Sequence, residues 1–257
     1  MDRARSEYGV TVKADPTAQA ALLELQAQDA ILAQLEHRKK TLPEHAAITE
    51  LEARLKEIDG QRIEADTLVS DLTRQQKKAD AEVEQVKARR TRDEERLNSG
   101  AVSNPKDLAS LQHELVALER RISTLEDAEL EVMEALEEAQ SVLSSRQAEV
   151  DRIKAELERT VAVRDTAISV IDQQLVDAKA ERASTAVGVP DDLMGLYDKL
   201  RGQYGVGAAA LRARRCEGCR LEINGADLRE LAAAPDDEVL RCPECSRILV
   251  RTAESGL

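Results

Sequence analysis

NSGAVSNP, residues 98–105, separates two long runs of helix-forming residues, and its reading decides the fold. Asn98 and Gly100 suit the left-handed residue that stops a helix. Asn104 is a favourable cap for a following helix, Pro105 fits its first position and Asp107 favours its positive end. A stop followed at once by a start predicts that the chain reverses here.

Both flanks carry the same periodicity. Upstream, Ile48, Leu51, Leu55, Ile58, Ala65, Val69, Leu72, Ala79, Val83, Val86 and Leu97 recur at alternating steps of three and four, with Arg62, Gln76, Arg90 and Asp93 as polar interruptions of the stripe. Downstream, Leu108, Leu111, Leu115, Leu118, Ile122, Leu125, Val132, Leu136, Ala139, Leu143, Val150, Ile153 and Leu157 do the same, and Val161, Ile168, Ile171 and Leu175 follow. Sustained heptad spacing makes a coiled-coil seam. The successive four-residue steps 153–157–161 read as a stutter. Residues 16–187 are therefore expected to form an antiparallel coiled-coil hairpin with its tip at 98–105. In KTLPEH, Pro43 is costly inside a helix, and Thr41 with Glu44 resembles a capping box. A break is expected near 41–43.

Residues 1–15 are assigned to a flexible N-terminus. At the other end, Gly188 and Pro190 mark a linker. PDDLMGLYDKLRGQYG then gives a short helix within 188–204, with Leu193, Leu196, Tyr197 and Leu200 on a face that packs on the base of the hairpin.

Composition supports an elongated helical protein. Of 257 residues, 34% are charged, Phe and Trp are absent, and Tyr8, Tyr197 and Tyr204 are the only large aromatic rings. Such rings usually dominate a globular core. The net charge is −13, and residues 1–186 hold 27 Lys+Arg against 38 Asp+Glu. An acidic body disfavours general binding to nucleic-acid backbones or bilayers. No apolar leader or membrane-length apolar run is present, so a cytoplasmic location without membrane attachment is expected.

All four cysteines lie in residues 205–257, as Cys216-Glu-Gly-Cys219 and, after 22 intervening residues, Cys242-Pro-Glu-Cys245. Two C-x-x-C pairs can surround one ion tetrahedrally, and in a reducing compartment this spacing reads as one structural zinc, with iron able to substitute. GAAALRARR enters the first pair, while EVLR and RILV bracket the second, which describes a zinc ribbon with two knuckles on opposing hairpins. A redox centre would need one exposed pair in a βαβ setting. Catalytic zinc needs an open position that four thiolates do not leave, and His37, His45 and His113 lie far back in the helical region. A tail with so few large apolar groups cannot bury enough surface to fold alone, and zinc supplies the missing folding free energy, on the order of ten kcal/mol.

Two basic groups are candidate partner contacts. In the ribbon these are Arg212, Arg214 and Arg215; near the tip they are Lys87, Arg89, Arg92 and Lys106. Arg215, Arg220, Arg241 and Arg247 also flank the cysteine pairs, where offsetting the −2 charge of a zinc–thiolate cluster is sufficient employment. For the tip group a solvated helix face is the default.

SNPKDLASLQHELVALERRISTLEDAELEVME (103–134), VPDDLMGLYDKLR (189–201) and the CEGC…CPECSRIL pairs resemble the bacterial C4-type zinc-ribbon family with an N-terminal coiled-coil hairpin. The resemblance implies a mainly α, non-enzymatic protein in which a helical hairpin is followed by a small C-terminal β zinc ribbon. It implies metal ligation by Cys216, Cys219, Cys242 and Cys245. Relatives act as flagellar or type III secretion chaperone-regulators that bind an alternative sigma factor, secretion components and, in one case, a messenger RNA. Ser246 stands where glycine is usual after the last cysteine, and Glu217 where glycine is common within the first pair.

The expected function is therefore a zinc-binding scaffold for protein partners in transcription or secretion machinery. The alternative is a nucleic-acid-binding regulator acting through the ribbon arginines or the tip. No nucleotide-binding, zinc-protease or Cys–His catalytic motif is present. Ile63, Leu68 and Val163 leave a monomer or a homodimer open.

Overall fold

The computed structural model describes residues 12–257. Four helices come first: α1 (Pro16–Lys40), α2 (Pro43–Asn98), α3 (Pro105–Ala186) and α4 (Asp191–Tyr204). Strands β1 (Ala208–Arg212) and β2 (Arg215–Cys216), helix α5 (Gly225–Ala233) and strand β3 (Ile248–Val250) complete the order. Local chemistry sets the helix ends. Asp15 caps α1, its carboxylate accepting from the Thr17 N–H at 2.8 Å and hydroxyl at 2.6 Å. Asn104 caps α3 by accepting from the Lys106 N–H at 3.0 Å, and Gly100, with φ of 70°, makes the left-handed turn after α2. Thr41 does not act as the first member of a capping box. Its N–H and hydroxyl both donate to the His37 carbonyl, at 3.0 and 2.9 Å, so it closes α1.

The chain divides into two units. One, Pro43–Val163, contains α2 and the first part of α3. The helices run antiparallel, because partners climb along one as they descend along the other: Arg54 meets Glu149 at 2.9 Å, Lys87 meets Glu126 at 2.8 Å and Arg89 meets Glu114. Ile58, Val150 and Ile153 form a buried cluster, with Leu51 and Leu55 packed on it. The heptad stripe is the inward one along its length. Its polar members Arg62, Gln76, Arg90 and Asp93 are half-buried, whereas Ile63 and Leu68, off the stripe, are exposed.

The second unit comprises the chain up to Leu42 and Arg164–Leu257. Here α1 lies against the end of α3, with Lys39 paired to Asp172 at 2.6 Å. The sheet order is β2-β1-β3; β1 is antiparallel to β2 and parallel to β3. Alternation along β3 divides the core. Ile248 and Val250 join Leu22 and Leu25 of α1 and Leu193, Tyr197 and Leu200 of α4, while Leu249 joins Leu211, Ile223, Leu240, Cys216 and Cys242. Gly207 allows the sheet to approach α4, since a Cβ there would stand 2.7 Å from the Tyr197 ring and carbonyl.

Two features differ from the sequence reading. Residues 12–15, assigned above to a flexible N-terminus, are engaged in the structure: the Ala14 N–H donates to the Asp237 carbonyl at 2.8 Å and the Val239 N–H to the Val12 carbonyl at 3.2 Å. Residues 1–11 of that assignment lie outside the described residues. The ribbon also contains a helix, α5, capped by Asn224, which accepts from the N–H groups of Ala226 and Asp227.

Candidate metal centre

The hairpin β1–β2 delivers the first cysteine pair. Its two-residue turn, Ala213 and Arg214, has φ of 45° and 62°, the positive values that a tight right-twisted hairpin requires. The C-terminal segment braces this turn: the Ala213 and Arg214 N–H groups donate to the carbonyls of Glu254 and Ser255 at 2.7 and 2.9 Å. After the turn, the Arg220 N–H donates to the Cys216 carbonyl at 2.6 Å and the Cys216 N–H to the Leu221 carbonyl at 3.1 Å. The second pair repeats this. The Ser246 N–H donates to the Cys242 carbonyl and the Cys242 N–H to the Arg247 carbonyl, both at 2.9 Å. Arg220 and Ser246, each immediately after the second cysteine of its pair, have φ of 62° and 60°. Serine thus adopts the left-handed conformation usually given to glycine, and the knuckle closes without it.

The four sulfurs converge, all within 4.8 Å of one another. Cys216 Sγ lies 3.9 Å from Cys245 Sγ, and Cys219 Sγ lies 3.9 Å from Cys242 Sγ. Zinc–sulfur bonds of about 2.3 Å in a tetrahedron require sulfur separations of about 3.8 Å, so the donor set fits zinc in both chemistry and size. Backbone N–H groups of Gly218 and Cys219 favour the Cys216 thiolate, and those of Glu244 and Cys245 the Cys242 thiolate. Burial pushes the Cys216 and Cys242 thiols up despite these donors. At Cys245 burial also acts upward, but the Arg247 N–H and guanidinium, with the Cys242 and Cys219 thiols, outweigh it and hold this thiol at about 7. A bound divalent ion supplies the remaining stabilisation of the thiolates and the folding free energy of the module.

The two arginines flanking the second pair, Arg241 and Arg247, are tied into the ribbon. Arg247 donates to the carbonyls of Val206 and Tyr204 at 3.2 and 3.4 Å, and its guanidinium lies 5.3 Å from the centre of the Tyr204 ring. Arg241 donates to the Ser246 carbonyl at 2.8 Å, clamping the second knuckle.

The candidate contact residues divide into engaged and open side chains. Arg212 is paired to Glu254 at 2.5 Å, and Arg214 donates to the Gly256 carbonyl at 3.2 Å. Lys87 and Arg89 are engaged with Glu126 and Glu114 across the hairpin. Arg215, Arg92 and Lys106 are exposed. His37, His45 and His113 are exposed on helices, and among the described residues the cysteines alone form a group able to hold a metal.

The sequence reading missed a buried charge. Asp29 of α1 is 1% exposed. It accepts from Arg182 at 2.6 Å, Arg201 at 3.2 Å and the Tyr197 hydroxyl at 2.7 Å. Beside it, Gln26 Oε1 accepts from the Gly207 N–H at 2.8 Å. Asp29 continues the stripe Ala18, Leu22, Leu25 along α1, and a carboxylate on an apolar stripe is the signal that could have found it.

A long helical hairpin followed by a four-cysteine ribbon with one structural zinc site defines the class of protein. The chain matches the CT398-like coiled coil hairpin domain over residues 25–205 and the C4-type zinc ribbon domain over residues 215–249. It belongs to the CT398-like coiled coil hairpin family. Uncharacterized proteins from two strains of Mycobacterium tuberculosis are each 37% identical over 240 residues, covering 93% of this chain and 98% of theirs. A solved structure from Mycobacterium smegmatis is 36% identical with a TM-score of 0.81, covering 94% of this chain and all of that one. The structure of CT398 from Chlamydia trachomatis shares the fold at 18% identity, with a TM-score of 0.66 and coverage of 92% and 98%. Neither matched domain is an enzyme family. Among the described residues no helix is long and apolar enough to cross a membrane.

Proposed function

We propose that this protein is a chaperone- or regulator-like scaffold whose hairpin and zinc ribbon present surfaces to protein partners. The observation that carries this reading is the closed sulfur cluster: four converging thiols use every position of a tetrahedral ion, which makes the metal a structural brace with no site for substrate. Partners in transcription or secretion machinery, and a role like that of the flagellar or type III chaperone-regulators, are what the family resemblance suggests. A cytoplasmic setting suits four reduced thiols. The exposed Ile63, Leu68 and Val163 offer apolar contacts for a partner or a second copy. Engagement of Arg212, Arg214, Lys87 and Arg89 within the protein supports protein partners over nucleic acid.

Salt titration of binding to duplex and single-stranded probes tests the reading. The scaffold predicts no binding at low salt. Affinity that falls steeply with salt and vanishes on substitution of Arg212, Arg214 and Arg215 would assign the ribbon to nucleic acid instead.

A further inference from the structure

One short segment, residues 237–242, joins the metal cluster to residues 12–14. At its first end the Ala14 N–H donates to the Asp237 carbonyl at 2.8 Å, and the Val239 N–H donates to the Val12 carbonyl at 3.2 Å. Lys13 pairs with the Asp237 carboxylate at 2.9 Å. Gln19, 4% exposed, spans the junction: its Nε2 donates to the carbonyls of Ala14 at 2.9 Å and Asp236 at 3.0 Å. At its last end the segment becomes the second knuckle. The Leu249 N–H donates to the Leu240 carbonyl, and the Cys242 N–H donates to the Arg247 carbonyl, both at 2.9 Å. The side chains divide in the same way. Val239 packs against the α1–α4 cluster, and Leu240 is buried with Cys216 and Cys242.

We propose that metal at the four cysteines latches residues 12–14 and the first turn of α1 onto the ribbon. The physical reason is that residues 237–242, which Arg251 also holds through the Glu238 carbonyl at 3.4 Å, run straight into the metal-held knuckle at Cys242. Without metal the sulfurs lose the ion that holds them together, the knuckle opens, and the segment that pairs with Val12 and Ala14 loses its hold on the cysteine side. Linkage makes the coupling reciprocal, so weakening the latch weakens metal binding by the same factor. The inference rests on zinc at the cysteines and is independent of which partner the scaffold serves.

Hydrogen exchange on the full-length chain, with zinc content measured first by native mass spectrometry, tests the latch. On chelation, peptides spanning residues 12–22 and 237–242 should exchange together on the order of tenfold faster, while peptides within residues 118–150 stay unchanged. Gln19→Ala and Ala14→Pro should speed exchange at the N-terminal peptide with zinc still bound, and each should lower zinc affinity several-fold in competition with a chromophoric chelator. The latch is overturned if chelation frees the knuckle while the Ala14 and Val239 amides stay protected, or if both variants bind zinc as tightly as the parent. A protein without zinc before chelation would overturn the zinc assignment itself, and the latch with it.

Discussion

The Tyr197 hydroxyl donates to Asp29 at 2.7 Å, joining the only fully buried aromatic ring among the described residues to a carboxylate that is 1% exposed. Arg182 and Arg201 complete the network around Asp29. Removing the carboxylate leaves the Arg182 and Arg201 guanidinium groups without the anion they share. Asp29→Ala is expected to lower stability by about 3 kcal/mol, and Tyr197→Phe by about 1 kcal/mol, in chemical denaturation at neutral pH. If Asp29→Ala has no effect, the network is not a stabilising element.

The same contact gives stability a pH dependence. Burial, followed by the bond to Asp29, raises the Tyr197 phenol above its ordinary value of 10.0. A group raised in the folded state contributes fully below its unfolded value, and that contribution is lost as pH rises beyond it. The stability difference between the parent and Tyr197→Phe should therefore be constant up to about pH 9 and narrow above pH 10. A gap that widens above pH 10 would contradict the burial of the phenol.

Gly207 meets Tyr197 from the other side. A Cβ at 2.7 Å from both the ring and the carbonyl of Tyr197 forces the sheet away from α4 and stretches the Gly207–Gln26 hydrogen bond. Gly207→Ala should cost about 2 kcal/mol in thermal or chemical denaturation. A neutral substitution would show that β1 can move away from α4 at little cost.

The left-handed backbone at Arg220 and Ser246 makes a prediction of opposite sign. Glycine accepts positive φ freely, whereas a β-branched side chain resists it. Ser246→Gly should retain zinc at least as well as the parent in chelator competition, and Ser246→Val should lose about 1–2 kcal/mol of binding. Equal behaviour of the two variants would place the strain elsewhere.

Much of this was legible in the sequence because the signals are local. The heptad stripe, the stop and start at Asn98–Pro105 and the two C-x-x-C pairs each lie within a few residues of the structure they dictate. Asp29 was harder, because its partners Arg182, Tyr197 and Arg201 are more than 150 residues away and no neighbouring residue announces them. The bridge that residues 12–14 make to residues 237–239 was illegible for the same reason. It uses backbone groups that every residue carries, so side-chain pattern says nothing of Ala14 meeting Asp237. Helix α5 did have a signal, Asn224 followed by Asp227, Leu228 and Leu231 with Pro235 beyond, but it lies between the cysteine pairs, where a strand-only ribbon is the simpler reading.

Metal content tests the centre of the account most directly. Native mass spectrometry of the purified chain should find one zinc per molecule, and Cys242→Ser should lose it along with the ordered C-terminal module while the helical signal of the hairpin persists. A metal-free parent protein, or a Cys242→Ser variant that keeps its zinc, would contradict the claim that four cysteine sulfurs hold the ion around which the ribbon folds.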